Sequence, residues 1–127
     1  MASPSECRFT ESHEWVRIDG DVVTLGITQY AANELTDVTY VEMRDVGTTL
    51  GPGDTVGVVE SVKTTSDVVT PVPGEIVETN DAPADDPSLI NGDPFGSGWL
   101  VKIRTDDASA LDGLMDASAY DAAYPIE

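Results

Sequence analysis

Few side chains in these 127 residues have the type and spacing that chemistry requires. A Ser-His-Asp or Cys-His arrangement would have to use His13, the one histidine, and a thiol nucleophile would have to be Cys7, the one cysteine. His13, between Ser12 and Glu14, reads as a packed or surface residue. Cys7 reads as an incidental thiol near the amino terminus; it allows no intramolecular disulfide and no Cys-based metal site. Asp85-Asp86 and Asp106-Asp107 carry no spaced oxygen ligands of the calcium-loop kind and read as solvated surface. Gly51-Pro52-Gly53 lacks the Lys-Ser/Thr of a phosphate loop and reads as a turn. The remaining candidate is Lys63, one of only two lysines, in the middle of a β-prone run from Val56 to Thr70.

Two short strands meeting near Lys63 fit this run. Val56, Val58, Glu60 and Val62 alternate with Gly57, Val59, Ser61 and Lys63, as an extended segment requires. Val68 to Thr70 is again β-branched and is stopped by Pro71-Val72-Pro73-Gly74. Val62-Lys63-Thr64-Thr65 contains neither Asn-Gly nor Asp-Gly, so a type I turn is expected in place of a primed one. A lysine displayed at such a tip has two meanings on residue type alone: a solubilising charge, or an attachment point.

The elements around it are short. Phe9 to Ile18 alternates weakly, Asp19-Gly20 supplies a turn, and Asp21 to Ile27 resumes a β-rich run, the clearest hairpin in the chain. Thr28 is placed to cap a helix over Gln29 to Leu35. Further strands are expected at Val38–Met43, Thr48–Leu50, Gly74–Thr79 and Gly98–Ile103, the last with Lys102 on a solvent-facing side. Asn80 to Pro87 reads as a surface loop and Leu89 to Gly96 as a turn-rich loop with apolar anchors. Leu111, Leu114 and Met115, then Tyr120 and Tyr124, recur at near-helical spacing, which predicts one or two short C-terminal helices. Many short strands with Gly and Pro turns predict one all-β domain over residues 1–127, a sandwich or small barrel.

Composition bounds the partners. With 24 acidic residues against 6 basic ones the formal charge is −18, which excludes nucleic acid as a partner. Such a surplus repels itself in dilute buffer and is screened in concentrated salt, so a halophilic, high-salt cytoplasm is expected. No apolar run approaches the roughly 20 residues that cross a bilayer, and Met1 to Glu6 resembles neither a secretory signal nor an import leader. A cytoplasmic monomer without membrane contact is expected.

Glu60-Ser61-Val62-Lys63-Thr64-Thr65-Ser66-Asp67, with Gly47 sixteen residues before Lys63 and Gly74 eleven after it, resembles the lipoyl-attachment motif of glycine cleavage system H proteins. The resemblance extends in order through Ser12-His13-Glu14-Trp15-Val16, Val23 to Ala31, Val41-Glu42, Val46-Gly47 and Leu89 to Ile103, covering about Phe9 to Tyr124. There are departures. Met43-Arg44-Asp45 stands where the family often has Leu-Pro-Glu, Thr36 replaces a frequent glycine, and Thr64, Val69, Thr70 and Pro73 replace Ala, Tyr, Ala and Ser. Flanking Val62 and Thr64 distinguish the site from biotinyl modules, which place Met on both sides of the lysine. Neither biotinyl nor 2-oxoacid-dehydrogenase lipoyl modules contain the Ser-His-Glu-Trp and Asp-Pro-Phe-Gly stretches. An unmodified acidic interaction protein is the rival of another class.

The resemblance implies a barrel-sandwich hybrid of two small antiparallel sheets with short helices, and a non-catalytic carrier with lipoic acid in amide linkage to Lys63 Nζ. It implies four partners: glycine decarboxylase with its pyridoxal phosphate, aminomethyltransferase with tetrahydrofolate, dihydrolipoyl dehydrogenase, and a lipoylating enzyme. The cationic aminomethyl cargo needs shelter from water and an acidic acceptor. The resemblance places Ser12, Glu14 and Asp67 in that role, with Glu60 in docking or recognition of the arm.

Overall fold

Gly20 adopts φ +65, a conformation that L side chains rarely take and glycine takes freely. A two-residue turn closes there and sets Asp19 opposite Val22. In the computed structural model, which describes residues 7–124, this turn joins β2 (Glu14–Asp19) to β3 (Val22–Ile27), so the expected hairpin is present. The weak alternation before it is broken: β1 (Arg8–Phe9) ends and Thr10 to His13 turns back, with the Glu14 N–H donating to Thr10 Oγ1 at 3.0 Å. Next come α1 (Gln29–Leu35), β4 (Val38–Met43), β5 (Thr49–Leu50), β6 (Thr55–Ser61), β7 (Thr65–Val69) and β8 (Gly74–Thr79). The chain continues through α2 (Ala82–Asp85), α3 (Ser88–Gly92), β9 (Val101–Arg104), a 3-10 helix (Ala108–Gly113) and α4 (Ala117–Ala123).

The strands form two antiparallel sheets, one ordered β1-β2-β3-β9-β8-β5 and one ordered β4-β6-β7. This is the expected sandwich. Its main core takes Val16, Leu25, Ile76 and Ile103 from the larger sheet and Val41, Val59 and Val68 from the smaller one. Trp15 points the other way, into a second cluster with Cys7, Phe9 and Tyr120, where its Nε1–H donates to the Pro94 carbonyl at 3.0 Å. Cys7 is thus buried in an aromatic layer beneath α4 and is no loose terminal thiol.

Strand β6 departs from simple alternation. A register shift between Thr55 and Gly57 inserts a bulge, so that Val56 and Val59 are both 0% exposed, although alternation puts them on opposite faces. Each such burial is worth about 1.5–3 kcal/mol, more than enough to select the bulged register.

The region expected to be loop holds two one-turn helices. Pro83 in the first turn of α2 presets helical φ and is itself buried, and Ile90 in α3 is fully buried. At four and five residues these helices are too short to show periodicity. Near the carboxyl end, Leu111 is buried by the 3-10 helix and Tyr120 by α4, as their spacing predicted, while Met115 forms a bridge with Phe9. Lys102 is not simply solvent-facing: its Nζ lies 3.8 Å from Glu78 and 5.0 Å from the Trp99 ring centroid.

Asn91 fastens α1 in place. Its Nδ2 donates to the Ala32 carbonyl at 3.2 Å and to the Thr36 carbonyl, and its Oδ1 accepts from the Val38 N–H at 3.0 Å. Carbonyls left open at the end of a helix are thereby satisfied. Thr36 itself sits at φ +64 and ψ −122, where a β-branched residue is strained by about 1–3 kcal/mol. The substitution Thr36→Gly should therefore raise unfolding free energy by about 1 kcal/mol in urea melts, after allowing for glycine's larger unfolded-state entropy. A loss of stability would show that the Thr36 Oγ1 bond to the Leu35 carbonyl, at 2.6 Å, outweighs the strain.

Candidate functional site

Ser61 builds the tip that presents Lys63. Its N–H donates to the Thr64 carbonyl at 2.8 Å, while its hydroxyl oxygen accepts the N–H groups of Lys63 at 3.3 Å and Thr64 at 3.2 Å. Neither Val62 nor Lys63 takes positive φ, so the turn needs no glycine. A serine side chain imitating a turn is the signal that the search for Asn-Gly overlooks. Lys63 is exposed and, among the described residues, its ammonium makes no ion pair. Val62 beside it is 68% exposed, which leaves an apolar side chain in water at the tip.

Immediately downstream, Thr64, Ser66 and Asp67 line a cleft of about 190 Å³. Ile27, Ala31, Leu35 and Val59 give it an apolar floor; Ser12, His13, Glu14 and Glu34 complete its polar lining. The structure thus brings Ser12, Glu14 and Asp67 together. Glu60 is not among them. In the β6–β7 ladder Val59, which lines the cleft, pairs with Ser66, whereas Glu60 pairs with Thr65 and accepts that residue's hydroxyl at 3.3 Å. Alternation along the strand carries Glu60 to the other face.

Glu14 is the first residue of β2 and alternates with Trp15, so it turns toward the space between the sheets and is only 1% exposed. Its Oε1 accepts Thr10 Oγ1 at 2.6 Å and Ser12 Oγ at 2.5 Å, and its Oε2 accepts the Val69 N–H at 3.4 Å. Burial pushes the carboxyl above its ordinary value, against the pull of the Ser12 and Thr10 hydroxyls and the Val69 N–H.

His13, which reads in sequence as a packed or surface residue between Ser12 and Glu14, lies in the cleft wall, and Glu34 was not singled out for the site by sequence reasoning. His13 holds φ +72, its ring 4.7 Å from those of Tyr30 and Tyr124, and its Nδ1 shares a 2.8 Å hydrogen bond with the Tyr120 hydroxyl. That hydroxyl also meets Thr28 Oγ1 at 2.7 Å, and burial raises the phenol to about 12. Thr28 caps α1 by accepting the Ala31 N–H, as its sequence position predicted. Burial lowers the His13 imidazole, and the charge of Glu34 opposes that shift. Glu34 had a legible signal: Ala31, Glu34 and Leu35 follow i, i+3, i+4 spacing on α1.

An exposed lysine at a stiffened tip, beside a small half-apolar cleft with an acid at its base, defines a carrier module of the sandwich class. The family model for glycine cleavage H-protein matches residues 7–125. A glycine cleavage system H protein of Bacteroides thetaiotaomicron is 47% identical over 122 residues, covering 96% of this chain and 97% of that protein. One from Phenylobacterium zucineum is 53% identical over 115 residues, covering 91% and 95%. The crystal structure of a glycine cleavage system H protein from Mycobacterium marinum matches with TM-score 0.87 at 38% identity, over 98% of this chain and 100% of that one. The chain belongs to the glycine cleavage H-protein family, the lipoyl carriers of that system, and is a carrier component, not a catalyst.

The raised Glu14 carboxyl has a measurable consequence. In the folded state it keeps its proton above pH 4.5, where an unfolded glutamate releases it. Its contribution to stability is therefore complete below that pH and is lost as pH rises through the folded value. Glu14→Gln stays neutral throughout and keeps an acceptor for Thr10 and Ser12. Urea unfolding at several pH values should show wild type losing stability relative to Glu14→Gln as pH rises above about 4.5. A difference that does not change with pH would mean that Glu14 titrates as it does in the unfolded chain.

Proposed function

We propose that Lys63 carries lipoic acid in amide linkage on Nζ and that this chain moves the aminomethyl group of glycine from glycine decarboxylase to aminomethyltransferase and electrons to dihydrolipoyl dehydrogenase. The observation that carries this reading is the exposed lysine, free of ion pairs among the described residues, on the turn that opens into the cleft. When attached, the group supplies a strained dithiolane on a long flexible arm, a carrier of electrons and of a carbon unit.

The chain's own residues do the rest. Ser61 stiffens the tip from which the arm swings. Ile27, Ala31, Leu35 and Val59 give its hydrocarbon an apolar bed and exclude water. Glu14 and Asp67 accept charge-assisted hydrogen bonds from the cationic amine of the cargo, and Ser12 adds one more polar contact. Glu60, on the other face of the hairpin, serves recognition by the lipoylating enzyme and not the docked arm. Intact mass of protein from cells able to lipoylate should show one lipoyl increment, absent in Lys63→Arg. No increment, or one retained in Lys63→Arg, overturns the reading.

The protein works as a monomer in a cytoplasm of high salt. Its formal charge of −18 supports this through self-repulsion that ions screen. Among the described residues no helix is long and apolar enough to cross a membrane. Melting temperature should rise steadily from dilute buffer toward molar KCl; a midpoint that stays level or falls would count against a high-salt setting.

A further inference from the structure

We propose that Glu34 is a further acceptor for the cationic amine of the docked cargo, reaching the cleft from α1 while Asp67 reaches it from β7. The proposal rests on the reading that the loaded arm docks in this cleft, and it adds a residue that the motif around Lys63 does not contain.

The need for such a residue follows from the state of Glu14. One of its oxygens already accepts two hydroxyls and the other faces a backbone N–H. A carboxylate so engaged, and so deeply buried, is a poor sole counter-ion for an incoming ammonium. Full negative charge has to come from the better-solvated lining. Two acids there meet this condition, Asp67 and Glu34, both exposed and both lining the cleft. They come from different elements, Glu34 from α1 and Asp67 from β7, so the cleft has an acid on each of two walls.

Glu34 is aimed by its helix. Ala31 and Leu35, its neighbours on the same face, belong to the apolar floor, which brings the root of the Glu34 side chain to the edge of that floor. Its charge is felt along the wall: burial lowers the His13 imidazole and Glu34 opposes that shift, and a hydrogen bond and charge from Glu34 raise the Tyr30 phenol. The cleft thus has a graded lining: a buried acid whose position is fixed by hydroxyls, then two solvated acids that supply charge. Exposed carboxylates attract an amine modestly, which suits cargo that must leave again.

Glu34→Gln tests this, since it removes the charge and keeps side-chain length, helix propensity and an oxygen for Tyr30. Two readouts apply. In unmodified protein, proton NMR should show His13 titrating at lower pH in Glu34→Gln than in wild type, as expected if Glu34 faces the cleft wall. In lipoylated protein loaded with the aminomethyl group, ammonia release should quicken about two- to fivefold, the scale of one solvent-exposed ion pair. Glu75→Gln, on β8 away from the cleft, should release at the wild-type rate. Equal acceleration in Glu75→Gln would assign the effect to net charge and overturn the proposal. Wild-type release from Glu34→Gln, with faster release from Glu14→Ala, overturns the role of Glu34 and leaves the docked arm standing. If neither variant changes release, docking in this cleft falls, and the proposal with it.

Discussion

A carboxylate buried between two sheets needs partners from both, and that requirement shapes this molecule. Glu14 draws Thr10 and Ser12 from the loop that ends β1, and the Val69 N–H from the facing sheet. Without them its burial would cost several kcal/mol. With them it becomes a polar tie between sheets otherwise joined by apolar packing, and it fixes one corner of the cleft. The tight Thr10–His13 loop, the positive φ of His13 and the approach of β7 to β2 all serve this arrangement.

The lysine tip and the acid at the base make opposite demands. Lys63 stands in water on a turn stiffened by a serine and left bare, as an attachment point open to several enzymes would require. The cleft, the proposed resting place of the cargo, is partly dry because it borrows core residues, Val59 from β6 and Ile27 from β3. One hairpin meets both demands because its strands alternate: one face turns to the floor of the cleft, while the tip projects beyond it.

Much of this was legible in the sequence, for identifiable reasons. Gly20 declared the first hairpin, Thr28 declared the cap of α1, and Val38–Met43 and Gly74–Thr79 alternated clearly enough to be strands. What escaped was what depends on tertiary partners. The bulge at Val56 pairs with no local signal, because burial against the other sheet selects it. Helices α2 and α3 are single turns held by Pro83 and Ile90, too short to show a period. The function of Asn91, satisfying carbonyls more than fifty residues away, has no sequence signature. In the site, Ser12, Glu14 and Asp67 converge, while Glu60 separates from them because one residue along a strand reverses the face. Thr36, noted as a departure from a frequent glycine, turned out to occupy the backbone conformation that glycine would take without strain.

Tyr120 links the end of the chain to the cleft. Its hydroxyl joins His13 in the cleft wall to Thr28 at the start of α1, and its ring stacks on Phe9 at 4.7 Å. Helix α4 is a seven-residue element that belongs to neither sheet, and short elements of that kind open locally at lower cost than a sheet. Were it to lift, His13 would lose the hydroxyl that meets its Nδ1, and Phe9 the ring stacked on it. On the proposed reading, retention of cargo therefore depends on a helix outside both sheets.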